Sequence, residues 1–387
     1  MIDKATLDRA VSAGILDTAQ REALVALAAG DGIAPSAEDD STSWSVDDQM
    51  RLVGGGNDIF VTVGIVLLFA GVFFALQAAV PQNSMMLSAL LAAASWGVAE
   101  IVTRQKRMRL SSTLLALVFS ASILVLLAEF IQARYDLPAT LNVFSLPALR
   151  ADAASIGMIA AGGLVVAASI YFLRFKVPVL AAVAAIAVTG LAFLGSVLFY
   201  YDRMTSGAIA APAPDQLADV LSSALAIPLI CGLAIFAVAV LLDLRDRDRQ
   251  TVWSDCAFWL HVVSAPLLVH PLFILATGQE VLSGRIEPGM AAGILLGLMM
   301  VVFVLVALAI DRRSLLAPTL AYFGSVGIYY LINGAANTTG IPPFALILIT
   351  IGAMVILFGA GWQRIRRLII GPLLPTSILD RLPPIKA

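Results

Sequence analysis

The stretch from Ile59 to Val80 constrains this chain more than any other part of its sequence. Its 22 residues carry no charge, and only Thr62 and Gln77 interrupt their apolar character. At 1.5 Å per residue such a helix is about 33 Å long, whereas the hydrocarbon core of a bilayer is about 30 Å thick. Helices of soluble proteins are rarely apolar on every face over such a length. We therefore interpret this stretch as a membrane-spanning helix.

The composition extends this interpretation to most of the chain. Of the 387 residues, 60% are hydrophobic and 13% are charged, and the mean hydropathy is +0.94. A soluble domain carries about 25% charged residues, so the deficit indicates that lipid surrounds much of this protein. The net charge of −2 excludes a basic nucleic-acid-binding protein. The two cysteines, Cys231 and Cys256, cannot form a disulfide framework and are expected to stay unpaired at different depths.

The first 29 residues are predicted to form a helical hairpin. Apolar residues recur at every fourth position from Leu7 to Ile15, as in one amphipathic helix. Asp17 and Gln20 have the spacing of a reciprocal helix cap that opens a second helix. Because a hairpin of residues 1–29 is too small to be very stable alone, we expect it to dock on a partner protein, on a second copy of the chain or on the membrane face.

Residues 30–57 are predicted to be an acidic, flexible linker. The part from Gly30 to Met50 contains six acidic residues and no basic residue. Such a sequence buries too little apolar surface to become ordered by itself. The three glycines at positions 54–56 lack both the Gly-Lys-Ser/Thr sequence and the preceding strand of a phosphate-binding loop. We interpret them as a flexible approach to the membrane.

Apolar segments of similar length recur through the rest of the chain, and we count ten. Their lengths of 18 to 24 residues are within the range of transmembrane helices. They cover residues 59–80, 84–103, 111–132, 153–173, 177–200, 220–242, 256–277, 289–310, 315–332 and 344–362. The sequence therefore predicts an all-α polytopic membrane protein, with about ten transmembrane helices in a domain of residues 58–362. The basic, proline-rich tail of residues 363–387 is predicted to lie along the membrane surface.

The basic residues are concentrated on one side of this predicted topology. The joins after even-numbered segments contain fourteen Lys and Arg residues, and the other joins contain four. Short loops that cross the membrane during insertion avoid Lys and Arg. The even-numbered segments are therefore predicted to end in the cytoplasm. With ten spans, the N- and C-termini are predicted to be cytoplasmic as well.

A small set of polar residues inside the segments forms a candidate intramembrane polar site. Glu129 and His270 lie about 4.5 and 10 Å below the outer ends of the third and seventh segments, with Gln132 and Gln77 near the same side. Ionisable groups in spans are costly and often functional. If these segments are neighbours, Glu129 and His270 could pair and support proton-coupled movement. The alternative is that Glu129 faces headgroups and His270 packs with a single hydrogen bond.

Other features of the segments have structural interpretations. Glu100 and Arg104 have the spacing of an ion pair on one helix face. The run from Asp246 to Arg249 is interpreted as a self-neutralising, solvated turn. Three glycines four positions apart on the eighth segment predict close helix packing. They are Gly289, Gly293 and Gly297.

No catalytic pattern is found in the sequence. There is no HExxH motif and no metal-ligand cluster, and the glycines at 324 and 327 lack the spacing of an intramembrane protease motif. His261 and His270 are nine residues apart, on opposite helix faces, so they cannot share a metal ion. The sequence thus predicts no cofactor and gives no argument for an enzyme.

Two stretches carry a family resemblance. LDRAVSAGILDTAQREALVAL and GGGNDIFVTVGIVLLFAGVFFAL resemble the hairpin and membrane start of a family of uncharacterised bacterial inner-membrane proteins, a domain of unknown function. The resemblance covers residues 3–80. It implies a polytopic protein of the bacterial inner membrane and brings no activity with it.

Three classes of function remain open at this stage. A transporter of a small solute or lipid-like molecule is favoured by the many spans, by the small extramembrane mass and by Pro228, Pro266 and Pro271 within spans. A membrane-embedded sensor or an assembly or scaffold protein acting through its hairpin is the alternative. An intramembrane enzyme comes third. The lipid bilayer is the one partner that all three require, and nucleic acid is a partner of none.

Overall fold

A computed structural model of the protein describes most of the chain. The described residues divide into two compact units, Met1–Gln49 and Met50–Ala387. Every regular element among these residues is helical. The described residues are 4–14, 17–29, 56–80, 83–135, 137, 146–210, 225–246, 249, 251–277, 290–316, 343–375, 379, 382 and 383.

The first unit contains two short helices, α1 (Lys4–Ser12) and α2 (Thr18–Ala29). Gly14 has a φ of 68°, a left-handed conformation that glycine adopts without a steric penalty and that ends α1. An ion pair between Arg21 and Asp8, 2.7 Å long, ties the two helices together. Two helices therefore stand where the sequence predicts the hairpin.

The predicted cap of the second helix is confirmed. The Asp17 carboxylate accepts hydrogen bonds from the backbone N–H groups of Ala19 and Gln20, at 2.6 and 3.0 Å. The Gln20 side chain accepts a bond from the Asp17 N–H at 3.0 Å in return. This reciprocal arrangement satisfies N–H groups that the first turn of a helix leaves unpaired.

The second unit is built from long helices, several of which are joined by short turns. Two π-helical turns, Glu100–Gln105 and Met158–Gly162, extend α4 and join α6 to α7. The helices are α3 (Gly56–Ala79), α4 (Ser84–Ala99), α5 (Arg109–Arg134), α6 (Leu146–Gly157), α7 (Gly163–Phe175), α8 (Val179–Thr205), α9 (Ala226–Arg245), α10 (Val252–Thr277), α11 (Met290–Ile310) and α12 (Pro343–Leu373).

Seven helical stretches of the described residues are long and apolar enough to cross a membrane. They are Gly56–Ala79, Ser84–Gln105, Arg109–Arg134, Pro147–Phe175, Val179–Thr205, Ala226–Arg245 and Val252–Leu272. These match the first seven predicted segments, and the all-α membrane class is thereby supported. Helices α11 and α12 cover the eighth and tenth segments, whereas the ninth lies outside the described residues beyond Leu316. The count of ten thus stays a prediction.

Large apolar side chains are exposed along these helices. Phe60, Leu67 and Phe74 on α3 are 77%, 68% and 68% exposed. A soluble monomer rarely leaves so much contiguous apolar surface in water. Lipid contact is the physical explanation, because hydrocarbon solvates these side chains at no cost.

Two interior clusters hold the bundle together. Trp96, Phe119, Tyr171 and Phe175 pack ring against ring at the junction of α4, α5 and α7, with centroids 4.5 to 5.8 Å apart. The second cluster joins α11 to α12. Its buried members include Ala307, Leu308, Trp362 and Ile370.

Three glycines allow neighbouring helices to approach closely. A Cβ atom added at Gly157 would lie 2.3 Å from Leu194, and one at Gly163 would lie 2.8 Å from Leu127. At Gly232 the added atom would lie 3.1 Å from the backbone of Leu267. Small residues at such crossings are typical of membrane helices. Of the three glycines predicted to pack, Gly289 and the side-chain surroundings of Gly293 and Gly297 lie outside the described part of the structure.

The helix reversals at one end of the bundle share a backbone feature. Four non-glycine residues of the described chain have a left-handed φ of 52° to 57°. Each lies just past the last turn of a helix that ends at this end of the bundle. They are Arg107, Lys176, Arg249 and Asp311. After Arg107, Lys176 and Arg249 the next helix begins within a few residues. Because the predicted basic joins are here, we name this side the basic end.

The two predicted borders of the membrane domain have different outcomes. Helix α3 begins at Gly56, two residues before the predicted border, and the predicted linker before it lies outside the described residues. Helix α12 continues through Trp362, where the last predicted segment ends, to Leu373. The first part of the predicted tail therefore extends a membrane-region helix.

Candidate functional site

A buried carboxylate, Asp243, is the centre of the most unusual polar arrangement in the described structure. It lies in the last turn of α9 and is 4% exposed. Arg312, which follows α11, donates from Nε to Oδ2 at 3.0 Å and from Nη2 to Oδ1. His261 Nε2 lies 2.9 Å from the same Oδ2. The planar guanidinium thus binds the carboxylate through two parallel hydrogen bonds, a strong geometry for an arginine–carboxylate pair.

Arg312 connects three helices through its side chain. Besides Asp243, its Nη2 donates to the carbonyl and to the hydroxyl oxygen of Ser254 on α10, at 3.0 and 3.1 Å. His261, also on α10, is fully buried and packs its ring against the edge of Phe236 at 5.4 Å. The end of α9, the start of α10 and the end of α11 are therefore held by one guanidinium.

The neighbouring residue, Asp311, forms the second half of the arrangement. Trp362 on α12 donates its indole N–H to Asp311 Oδ1 at 2.6 Å. Arg249 and Arg366 lie 3.5 and 3.7 Å from Asp311 Oδ2. Asp311 itself is 4% exposed and has a φ of 57°. The left-handed backbone therefore places two consecutive charged residues in two different networks.

The remaining arginine donors bind the end of α11. Arg249 donates to the carbonyls of Ile310 and Asp311 at 3.3 and 2.7 Å, and Arg366 donates to that of Leu308 at 2.8 Å. The last carbonyls of a helix lack intrahelical partners and carry partial negative charge. Three arginines are thus balanced by two aspartates and by a helix C-terminus. We name this set the ionic cluster: Asp243, Arg249, Ser254, His261, Asp311, Arg312, Trp362 and Arg366.

Burying the charged groups of the ionic cluster costs free energy. Withdrawing each ion from water costs several kcal/mol, and the attraction between partners offsets this only where geometry and hydrogen bonding are complete. Apolar side chains of similar volume would hold the same helices together as well or better. The buried charges at this helix end are therefore weak evidence for stability by themselves.

The four predicted polar residues are less buried than the ionic cluster. Gln77, Gln132 and His270 are exposed and Glu129 is half-buried. Within the described structure, no hydrogen bond or ion pair joins Glu129 to His270. Their pairing stays a prediction that no described contact supports.

The sequence does not predict the ionic cluster, for reasons that its residues make clear. Asp243 lies one residue beyond the predicted sixth segment and is therefore outside the set of polar groups within the spans. Of the predicted solvated turn from Asp246 to Arg249, the structure describes only its first and last residues. Asp246 caps the start of α10 by accepting bonds from the N–H and hydroxyl of Thr251, at 2.8 and 2.6 Å, and Arg249 is largely buried. No local sequence pattern predicts the hydrogen bond between Arg312 and Asp243, which are 69 residues apart in the sequence.

A second carboxylate at the basic end pairs as predicted, with one addition. Glu100 accepts a bond from Arg104 at 3.3 Å, which confirms the predicted pair. Arg174 at the end of α7 also binds it through two bonds of 2.9 Å. Unlike Asp243, Glu100 is 29% exposed, so water shares in its solvation.

A third carboxylate, Asp58, caps a helix that is not its own. It is 2% exposed at the start of α3, and it accepts bonds from the N–H groups of Leu110 and Ser111 at 2.9 and 3.0 Å. The Ser111 hydroxyl donates to it at 2.7 Å. Helix α5 has no side-chain cap from its own preceding residue, Met108. A negative charge from α3 therefore satisfies the positive N-terminus of α5.

The opposite end has a simpler connection. Arg150 at the start of α6 donates two bonds to Asp202 at the end of α8, one of them from Nε at 2.6 Å. Both side chains are partly exposed. Charge therefore ties helices at both ends of the bundle, but it is deeply buried at the basic end.

The ionic cluster connects helix ends through hydrogen bonds and ion pairs. Most polar atoms of the ionic cluster are engaged with one another or with backbone carbonyls, and the cluster contains no thiol. Among the described residues, no group of three or more His, Cys, Asp or Glu side chains could hold a metal ion. What the cluster does chemically is to bind four chain segments to one another through charge.

Comparisons with known proteins add no relative. No family model, no curated protein and no solved structure matches this chain.

Proposed function

We propose that this protein is a transporter-like integral membrane protein that moves a small solute or lipid-like molecule, and that the ionic cluster is its gate at the basic end. The observation that carries the proposal is the burial of Asp243, Asp311, Arg312 and Arg366, which are at most 4% exposed. Ionisable groups buried within membrane bundles are typical of substrate and ion pathways.

The physical argument concerns reversibility. An apolar interface between helix ends resists opening into water, because its surface is poorly hydrated when it separates. Separating an interface of charged groups costs less free energy than separating an apolar one, because water hydrates the charged groups once they are apart. A buried ionic interface is therefore better suited to two alternating arrangements than an apolar one.

The orientation belongs to the same proposal. We place the basic end in the cytoplasm of a bacterial inner membrane, with both termini on that side, because fourteen of the eighteen Lys and Arg residues in the joins lie at it. Reporter fusions at residue 1, within 104–109 and at the C-terminus should report the cytoplasm. Fusions within 140–148 and 205–215 should report the outside, and the reverse pattern would overturn the orientation.

The transport proposal is tested by uptake. Cells that express the protein are given an isotope-labelled mixture of amino acids, sugars, nucleosides and short-chain lipids, and accumulation is measured by mass spectrometry. We expect at least one compound to accumulate differently from non-expressing cells, and the Asp243→Asn variant to lose that difference. Asp152→Asn, at an exposed position of α6, should retain it. Identical accumulation of every compound with and without the protein would overturn the proposal.

The alternative function is a sensor or an assembly protein acting through the N-terminal hairpin. The observation that favours it is that residues 1–49 form a compact unit of their own, with a complete cap and an Arg21–Asp8 bridge. Deletion of residues 1–49 distinguishes the two functions. A transporter keeps its uptake after the deletion, whereas a sensor or scaffold keeps its ten spans inserted and loses its partner protein or its self-association.

A further inference from the structure

The basic residues of the basic end fall into two groups in the structure. The sequence counts them as equivalent, because the positive-inside pattern depends only on their number. In the structure several of them are bound by the protein itself. Arg249, Arg312 and Arg366 belong to the ionic cluster, Arg174 is held by Glu100, and the Lys176 ammonium lies 5.3 Å over the ring of Phe172.

One turn keeps its positive charge available. Lys106, Arg107 and Arg109 lie in and beside the turn between α4 and α5, and all three side chains are exposed. Within the described part of the chain, none of the three makes an ion pair. Arg104, one turn earlier, is 57% exposed and is only partly neutralised by Glu100, which Arg174 shares. The turn therefore has a concentrated positive charge.

The surface beside this turn is apolar. Ile101, on the same π-helical turn as Arg104, is 56% exposed. Ile59 and Phe60 are 49% and 77% exposed at the start of α3. That start lies beside the same turn, because Asp58 bonds to Leu110. The turn thus presents cations next to exposed apolar side chains. This arrangement is complementary to a phospholipid, whose charged headgroup adjoins its acyl chains.

We infer that the α4–α5 turn is a binding site for an anionic phospholipid, with Lys106, Arg107 and Arg109 contacting the phosphate headgroup and Ile101 and Phe60 contacting the chains. Charge complementarity gives the headgroup specificity, and the exposed apolar surface restricts the ligand to a lipid. The site is independent of the transport proposal and would exist in a protein of any function.

The backbone at Arg107 permits a clean test. Its φ of 52° suits glycine better than arginine, so Arg107→Gly removes a charge without straining the turn. The double variant Arg107→Gly/Arg109→Gln is compared with Arg134→Gln/Arg203→Gln, which removes two exposed charges at the opposite end. Both variants change the net charge equally, and a single cooperative thermal unfolding transition in each shows that both are folded.

The measurement is native mass spectrometry of the full chain with phosphatidylglycerol and phosphatidylcholine as probes. We expect the unsubstituted protein to retain phosphatidylglycerol about tenfold better than phosphatidylcholine, and Arg107→Gly/Arg109→Gln to lose that preference. The Arg134→Gln/Arg203→Gln variant should keep it. Equal retention of both lipids by the unsubstituted protein, or an unchanged preference in the first variant, would overturn the site. Displacement of the lipid by inorganic phosphate at constant ionic strength would show an anion site and overturn the lipid assignment.

Discussion

At the scale of single residues, burial decides what a charge does in this protein. Asp58, Glu100 and Asp243 are three carboxylates at the same end of the bundle, each with strong donors. Asp58 satisfies a helix terminus, Glu100 shares its solvation with water, and Asp243 is enclosed with its partners. Their sequence contexts are alike, because each lies within a few residues of the end of an apolar segment.

The cap formed by Asp58 predicts a loss of stability. Asp58→Ala leaves the N–H groups of Leu110 and Ser111 buried without their acceptor, which should destabilise the protein by about 1–3 kcal/mol. Asp58→Asn keeps one acceptor oxygen and should cost less. Unfolding in mixed micelles by denaturant measures both variants, with the exposed Asp152→Ala as the control. A loss for Asp152→Ala equal to that for Asp58→Ala would show that the cap is not responsible.

Asp243 and Glu100 make a matched pair, because each accepts two bonds from one arginine. Asp243→Ala leaves Arg312 buried and without its carboxylate, and it should destabilise the protein by roughly 3–5 kcal/mol. Glu100→Ala should cost much less, since water can solvate Arg174. In the double variant Asp243→Ala/Arg312→Met, stability should be partly recovered relative to Asp243→Ala. Equal losses for Asp243→Ala and Glu100→Ala in denaturant unfolding would contradict this account.

At the scale of elements, the left-handed turns explain how long helices reverse within a few residues. Hydropathy predicts where such helices lie, because an apolar run is a local property of the chain. The ends of α5, α8 and α10 differ from the predicted ends by a few residues, since caps and turn conformations extend a helix past its apolar part. Neither the π-helical turn at Glu100 nor the left-handed φ at Asp311 has a signature in the sequence, because both depend on contacts with other helices.

Two of these turns predict opposite outcomes for the same substitution. Arg107→Gly removes the steric cost of a left-handed side chain and should be neutral or stabilising by up to about 1 kcal/mol. Asp311→Gly offers the same backbone relief, yet it also removes the acceptor of Trp362 and the counter-charge of Arg366, so it should destabilise. Thermal unfolding midpoints measured side by side compare them. Stabilisation by both substitutions would show that the Asp311 contacts contribute little.

At the scale of the whole molecule, the sequence predicts the class of protein and the side on which charge collects. Both depend on hydropathy and charge summed over long stretches of sequence, so an error at a single residue changes them little. The ionic cluster could not be predicted in the same way, because Asp243, His261 and Arg312 come from three helices and meet only after the bundle is packed. The polar residues inside the predicted segments indicate Glu129 and His270 as candidates, whereas the most deeply buried charges of the described residues lie just outside the predicted segments.

The gate proposal predicts a change in the accessibility of a residue that no part of the cluster uses. Cys256 lies on α10 between Ser254 and His261 and is 2% exposed, and Cys231 is the only other cysteine. In a Cys231→Ser background, a small maleimide should therefore label Cys256 slowly. Asp243→Asn should accelerate labelling about tenfold, because loss of the negative charge and of one acceptor oxygen weakens the bonds to Arg312 and His261 and lets the helix ends separate.

The control for this experiment is Glu100→Gln, which weakens an ion pair at the same end of the bundle but outside the cluster. It should leave the labelling rate of Cys256 unchanged. Labelling is followed by mass spectrometry in proteoliposomes, well below the unfolding temperature of each variant, so that global unfolding does not contribute. If Asp243→Asn labels as slowly as the unsubstituted protein, the cluster is a static brace and the basic end does not open there. If Glu100→Gln accelerates labelling equally, loosening is general and the gate is not confined to the cluster.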